Sequence, residues 1–343
     1  MSTSRHAGDS STTTLAEAVS VIIPTIGRPA SLARLLESLS NQTAVVQEVI
    51  VADASGTEET DAVTSDSRWQ AAGLRVRRIV ASPPNAVRQR QAAIAASMGN
   101  FLLMLDDDVV LEPACVQQML TLFKGNPEVV GVTADFNNQT WSQPTPCWYF
   151  YLRHVLRLPV GAWQGKVIGP LLRFGYNPVP ACPQPMQWLG SGNSLVRRSA
   201  YFSAGGFSDF FLDRCTLNED VDLGIKLARV GAILFCPAAR MAHHHAPRGR
   251  VSMAVAAEDD LYNRFLVLRR TCGKSVARAL GLVGVFMFIE TTSHFLGCVK
   301  RVSFIGFFPR LYGRLRGAAR ILLVVSARRT PKGATIFPTM KAE

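Results

Sequence analysis

Charged residues are scarce in this chain, at 18 %, while apolar residues reach 48 %. That balance excludes an intrinsically disordered polyelectrolyte and leaves ample material for a buried core. No C-x-x-C pair occurs among the seven cysteines, Cys115, Cys147, Cys182, Cys215, Cys236, Cys272 and Cys298, and their number is odd. This excludes a disulfide framework and a zinc ribbon, and the cysteines are expected to be buried small hydrophobes in a reducing compartment. Met1 to Thr14 lacks an apolar segment of the kind a secretory signal needs, so a cytoplasmic setting is expected, with residues 1–17 a disordered leader. Acids are nearly missing from Arg264 to Lys332, where 14 Lys or Arg face the single acid Glu290. The overall charge of +12 therefore resides in the C-terminal segment, and the remainder of the chain is close to neutral. An anionic partner is implied, although charge alone does not separate membrane, nucleic acid and phosphate-bearing substrate.

What is present is an alternation of short apolar strands and amphipathic helices. Val19-Ser-Val-Ile-Ile-Pro24 reads as a buried strand stopped by proline. Ser31 is placed to cap a helix with Leu32, Leu35, Leu36 and Leu39 on one face. Glu48 to Asp53 reads as a second strand, Leu74 to Val80 as a third, and Ala86 to Met98 as a helix leading into a fourth strand, Phe101 to Leu105. The alternation predicts an α/β domain with a mainly parallel sheet, which binds ligands at the carboxyl ends of its strands. Asp53 and Asp106-Asp107-Asp108 both lie at such ends. Residues 136–185 are rich in Pro, Gly, Trp and Tyr without a clean period, and suit an acceptor-facing insertion. A helix from Glu219 to Val230 and a short strand, Ile233 to Cys236, follow.

Three polar clusters could carry chemistry. Adjacent carboxylates in Asp106-Asp107-Asp108 repel one another and are best tolerated in water or around a cation. A hard divalent cation, Mg²⁺ or Mn²⁺, would bridge them to phosphates; an exposed acidic turn is the plainer reading. Asn218-Glu219-Asp220 opens a helix. Acids there complement the helix dipole, or one of them serves as a general base toward a hydroxyl. A single base without a paired acid fits a diphosphate leaving group better than glycoside hydrolysis. His243-His244-His245 is either a solvated turn or the source of an imidazole ligand for a cation such as Mn²⁺.

In order and spacing these pieces resemble family 2 glycosyltransferases of the GT-A fold, over about residues 19–270. The run from Val19 to Arg28 looks like the family's first strand and donor loop, which implies donor contacts from Pro24, Thr25 and Arg28. Val51-Ala-Asp53 is similar to the second strand, whose acid faces the nucleotide base. Arg90 and the strand ending in Asp106-Asp107-Asp108 are similar to the helix and strand that deliver the metal-binding D-x-D. The resemblance implies Asp106 and Asp108 as metal ligands, with Arg90, Asp106 and Asp107 toward the donor. Trp188, Gly190, Ser191, Gly192 and Asn193 match the acceptor-side pattern. Within Glu219-Asp220 the resemblance makes Asp220 the catalytic base beside Glu219. The family's His six residues after a proline falls on His243. Arg248 and Arg250 are further candidates for phosphate contact, or surface charges. Tyr262-Asn263-Arg264 resembles the closing segment.

The implied activity is inverting transfer of a sugar from a nucleoside-diphosphate sugar to an acceptor hydroxyl on a glycan, polysaccharide or lipid-linked molecule, with Mn²⁺ or Mg²⁺ as cofactor. A catalytically inactive nucleotide-sugar-binding protein of the same fold is the alternative, and the intact Asp triplet and Asp220 count against it. The usual Asn after the donor-side Arg is Gln91 here, and no Q-x-x-R-W motif occurs, which argues against a processive synthase.

Domain limits are expected at residues 18–255 for the catalytic unit, 256–330 for apolar and amphipathic helices, and 331–343 for a tail. Leu280 to Val299 is long enough to span a bilayer but is interrupted by Glu290 and His294. Beyond it, Phe304, Ile305, Phe307, Phe308, Leu311 and Leu315 alternate with Arg310, Arg314 and Arg316. That pattern suits helices lying in an anionic membrane interface, at the cytoplasmic face. It fits nucleic acid poorly, so no nucleic-acid partner is expected. A soluble appendage packed on the catalytic domain, or on a second subunit in a homo-oligomer, is the other reading.

Overall fold

Val19–Thr25 (β1) is buried along its whole length, as expected of an apolar strand covered on both faces. Its alternation sorts side chains between two cores. Val19, Val21 and Ile23 meet Leu32, Leu35, Leu36 and Leu39 on one face, and Ile22 meets Val87 and Ile94 on the other. The computed structural model describes residues 18–213, 216–245 and 251–327, so the expected leader and tail lie outside the described residues.

The remaining strands are Glu48–Asp53 (β2), Val76–Val80 (β3), Phe101–Leu105 (β4), Val109–Leu111 (β5), Val129–Phe136 (β6), Val167–Ile168 (β7), Leu172–Arg173 (β8), Gln184–Met186 (β9), Asn193–Arg197 (β10) and Ala232–His243 (β11). Nine of them form one sheet in the order β3-β2-β1-β4-β10-β6-β11-β5, with β9 also paired to β11. The block β3-β2-β1-β4 is parallel. β10 runs antiparallel between β4 and β6. β7 and β8 form a separate two-stranded ribbon. This is the mostly parallel, helix-flanked sheet expected from the sequence.

Element boundaries depart from expectation: the helices expected to end at Met98 and Val230 end at Ala96 and Leu227, and two departures have a clear physical reason. The first helix, Pro29–Ser40 (α1), starts at Pro29, before Ser31, and no side chain caps it. Proline's fixed φ and missing N–H suit the first helical position, so Ser31 lies inside the helix rather than capping it. The short strand expected at Ile233–Cys236 continues to His243. A register shift between Cys236 and Arg240 absorbs Pro237, and pairing then resumes with β6 and β5. The histidines therefore sit at and just beyond a strand end, beside β5. Cysteine burial also varies: Cys115, Cys236 and Cys298 are buried, Cys147 and Cys272 half-buried, and Cys182 exposed. Cys215 lies outside the described residues.

Ala86–Ala96 (α2), Glu219–Leu227 (α3) and Met253–Leu266 (α4) surround the sheet. Val276–Arg301 (α5) and Phe307–Ala327 (α6) complete the described chain. α6 approaches α4 through Gly313 and Gly317; a Cβ at Gly313 would lie 2.1 Å from Ala254 O. α5 is long and apolar enough to cross a membrane, and only 17 % of its most apolar window is buried. Its polar interruption is satisfied within the protein. Trp148 Nε1 donates to Glu290 Oε2 at 2.7 Å, and Arg314 Nη2 lies 2.9 Å from His294 Nδ1.

Candidate active site

The parallel strands deliver their C-terminal residues to one edge, where hydrogen bonds fix them. Gln89, buried on α2, donates from one amide nitrogen to Thr25 O at 2.8 Å and Ala52 O at 2.7 Å, tying β1 to β2. Asp53 is fully buried. One of its oxygens accepts from Arg78 Nε and Nη2 at 3.1 and 3.0 Å, and the other from Ser55 N at 2.8 Å. Pro24, in the buried run of β1, pairs with Ala52 in the sheet register.

The three adjacent aspartates have three different environments. Asp107 points inward, 3 % exposed; Thr25 Oγ1 donates to it at 2.6 Å and Arg28 Nη1 at 2.9 Å. Burial raises its pKa above the usual carboxylate value, against the pull of Thr25 and Arg28. Asp106 pairs with Arg90 Nη2 at 2.6 Å and lies against Gly192, where a Cβ would fall 2.3 Å from Asp106 Oδ2. Asp108 Oδ1 lies 3.0 Å from His243 Nε2, and its other oxygen lies 3.8 Å from Arg28 Nη1. One oxygen each from Asp106 and Asp108 and one nitrogen of His243 all fall within 4.8 Å of one another. Two carboxylate oxygens and an imidazole are a donor set that fits Mg²⁺ or Mn²⁺. The neighbouring histidines make other contacts, His244 through its backbone and His245 through its ring. His244 N donates to Asp108 O at 2.9 Å, and the His245 ring packs on His243 with centroids 4.0 Å apart.

The Glu-Asp pair opens α3 behind Asn218, which is buried and adopts a left-handed conformation, φ 73°. Its side chain caps nothing. It accepts from Arg173 Nη1 at 3.1 Å and donates to Asp260 Oδ1 at 2.7 Å. Glu219 is buried, accepts from Ser191 Oγ at 2.8 Å and lies 3.6 Å from Arg90 Nη1. Burial, reinforced by the Asp220 charge and opposed by Arg90 and Ser191, pushes its pKa up to about 7. Asp220 is more open, with 16 % of its side chain accessible, and lies 3.2 Å from Arg173 Nη2.

Arg90 therefore touches both acidic clusters, Asp106 with one nitrogen and Glu219 with the other, while itself only 3 % exposed. Ser191 and Gly192, in the turn before β10, touch Glu219 and Asp106 respectively. The other expected acceptor-side residues are placed differently. Trp188 is 4 % exposed and stacks edge-on with Trp141. Asn193 is buried and donates to Ala134 O at 2.7 Å. Gly190 lies against Asn193, where a Cβ would meet Oδ1 at 2.0 Å. Arg248 and Arg250 lie outside the described residues. Sequence reasoning missed Arg173, Arg78 and Gln89. Arg173 belongs to the aperiodic stretch, and Gln89 carries no pattern that separates it from a surface helix residue.

Known proteins resemble this chain in part of its sequence and in fold. Residues 20–175 match Glycosyl transferase family 2. A stretch of 64 residues is 39 % identical to the N-acetylglucosaminyl-diphospho-decaprenol L-rhamnosyltransferase of Mycobacterium tuberculosis, covering 18 % of this chain and 20 % of that protein. The match thus spans about a fifth of the curated relative's length. A mannosyltransferase from Pyrobaculum calidifontis, solved with GDP-Man and Mn²⁺, superposes with a TM-score of 0.51 at 15 % identity, over 91 % of this chain and 79 % of that one. Residues 1–349 of TarS from S. aureus, solved with UDP-GlcNAc, superpose with a TM-score of 0.53 at 13 % identity, over 91 % and 82 %. At these identities the structural likeness is one of fold. Residues 20–175, just under half of the chain, thus resemble Glycosyl transferase family 2, and the sheet with its flanking helices has the GT-A fold.

Proposed function

We propose that this chain transfers a sugar, with inversion, from a nucleoside-diphosphate sugar to an acceptor hydroxyl. The observation that carries the reading is the Arg90 bridge, which joins the Asp triplet to the Glu-Asp pair. Asp220 is the general base: it takes the acceptor hydroxyl proton as that oxygen bonds to the anomeric carbon and the bond to the diphosphate breaks. Its partial exposure supports this role, whereas Glu219 is buried and engaged by Ser191 and Arg90. Asp106, Asp108 and His243 are the residues that would hold a divalent cation, which supplies positive charge to the leaving diphosphate when bound. Arg28, with 18 % of its side chain accessible, is suited to a donor phosphate. Thr25 and Asp107 hold the loop that presents it.

The acceptor is proposed to be lipid-linked, with the enzyme at the cytoplasmic face of an anionic membrane. Two features support this. The mycobacterial relative's name places its own acceptor on a decaprenol diphosphate, and α5, the turn after it and α6 expose Phe288, Val299, Ile305 and Phe308, with Lys300 and Arg301 exposed directly after Val299. The test is a thermal-shift panel of nucleoside diphosphates with and without Mn²⁺, on the wild type, Asp108→Ala and Asp220→Asn. Mn²⁺-dependent stabilisation lost in Asp108→Ala, but kept in an inactive Asp220→Asn, is the expected result. Nucleotide binding indifferent to both Mn²⁺ and Asp108 would overturn the reading.

A further inference from the structure

The helix over residues 146–155, which ends in a single π turn, lies across α5 and leaves a groove of about 750 Å³ between them. Pro146, Phe150, Tyr151, Val155, Val285 and Phe288 form its walls, and no charged residue lines it. Phe150 is 61 % exposed, Val155 58 % and Phe288 72 %. Solvent contact at three large side chains around one concavity marks a surface built to be covered. The face of α5 beside the groove continues the pattern: Ala277, Gly281, Gly284 and Phe288 are exposed at steps of three and four residues, and Phe295 and Val299 are exposed two turns further on.

Two connections tell what covers it. The first runs to the reaction centre. Tyr151, in the groove wall, backs onto Gly169, where a Cβ would stand 3.6 Å from the tyrosine hydroxyl. Gly169 lies in the turn of the β7–β8 ribbon, and Arg173 at the end of that ribbon reaches Asp220 at 3.2 Å. Arg264 anchors the turn by donating to Pro170 O and Leu171 O at 2.8 and 2.9 Å, with its guanidinium 3.9 Å from the centre of the Phe286 ring on α5. The groove and the base are thus joined by one short ribbon. The second connection is charge. Exposed Arg157 follows the groove residue Val155 by two positions, and exposed Lys166 immediately precedes the ribbon, so a cation adjoins each along the chain. An apolar trough, neighbouring cations and a ribbon that reaches the base match a molecule with a hydrocarbon chain, a phosphate and a reactive hydroxyl.

We infer that the groove between residues 146–155 and α5 holds the hydrocarbon chain of a phosphate-linked lipid acceptor and thereby orients its hydroxyl toward Asp220. The inference rests on the transferase reading and gives it a substrate class. At about 750 Å³ the groove has the size of an ordinary ligand site.

The test uses the full chain and a benzophenone-bearing farnesyl diphosphate as photoprobe, with adducts mapped by mass spectrometry. Labelling is expected on residues 146–155 and 284–292, suppressed about tenfold by unlabelled farnesyl diphosphate but not by inorganic pyrophosphate. Gly284→Phe fills the trough, and nothing lies within 4 Å of a Cβ there. It should reduce labelling about tenfold while leaving Mn²⁺-dependent nucleoside-diphosphate binding unchanged. Phe288→Asp, on an exposed side chain, should do the same and guards against misfolding of the first variant. Adducts outside the groove would overturn the inference. So would equal suppression by phosphatidylglycerol vesicles, which assigns the groove to bilayer lipid. A dimer in light scattering that Gly284→Phe splits would assign it to a second copy of the chain. Normal nucleotide binding without groove labelling removes this inference alone; loss of nucleotide binding in the wild type removes the transferase reading.

Discussion

Glu219 offers a measurement of the site that needs no substrate. The residue is 8 % exposed, and burial, followed by the charge of Asp220, raises its pKa from 4.5 to about 7. Between those values the folded chain holds a proton on Glu219 that the unfolded chain has released. Stability from this group is therefore intact below about pH 4.5 and lost as the pH rises through about 7. A displacement from 4.5 to about 7 corresponds to about 3 kcal/mol. At about 2 °C per kcal/mol for a chain of this size, the effect on Tm is on the order of 6 °C. Glu219→Gln keeps the shape and an oxygen for Ser191 but does not titrate. Burial also raises Asp107 and Asp135, yet both are present in each protein and cancel in the comparison. The Tm of Glu219→Gln minus that of the wild type should therefore grow by roughly 6 °C between about pH 4.5 and about pH 8. Differential scanning fluorimetry across that range gives the answer. A gap that stays flat with pH would refute the argument that Glu219 is held against its own ionisation.

Two further outcomes follow from close contacts. Gly192→Ala places a Cβ 2.3 Å from Asp106 Oδ2 and must turn that carboxylate; Mn²⁺ affinity by calorimetry should fall about 10–100-fold while Tm changes little. Gly313→Leu drives a side chain toward Ala254 O, 2.1 Å from the Cβ position. Parting α6 from α4 should cost about 1–3 kcal/mol in denaturant unfolding, and an unchanged midpoint would show that the helices do not pack there.

Much of the parallel half of the molecule was legible in the sequence, because β1, β2 and β4 are continuous apolar runs ending in polar residues, and burial on both faces admits little else. The acids at their ends were legible for the same reason. The long β11 was not: Pro237 reads as a stop, and only pairing with β6 and then β5 keeps the strand going past it. Residues 136–185 were illegible because their strands are two or three residues long, their one helix covers only residues 146–155, and tertiary contacts such as Tyr176 on Phe235 and Trp148 on Glu290 hold them. Arg173, which reaches Asp220, lies in that stretch. The polar interruption of α5 was visible, but its partners Trp148 and Arg314 come from distant segments that no local pattern connects.

The feature that local patterns could least disclose is the one that joins the two acidic clusters. Asp106 follows β4 and Glu219 opens α3, and the chain between them forms β5, β6 and β9 before it comes back beside β4 as β10. Because β10 inserts antiparallel beside β4, with Asn193 opposite Leu105, the turn preceding it is delivered to the carboxyl end of β4. Gly192 then lies on Asp106, and Ser191 donates to Glu219. In a parallel arrangement the start of that strand would sit at the opposite edge of the sheet, and neither contact would form. Arg90 completes the junction from α2, and its burial makes the pairing demanding, since a guanidinium this enclosed needs acids close by. The antiparallel insertion is thus the step that brings separate acidic motifs into contact.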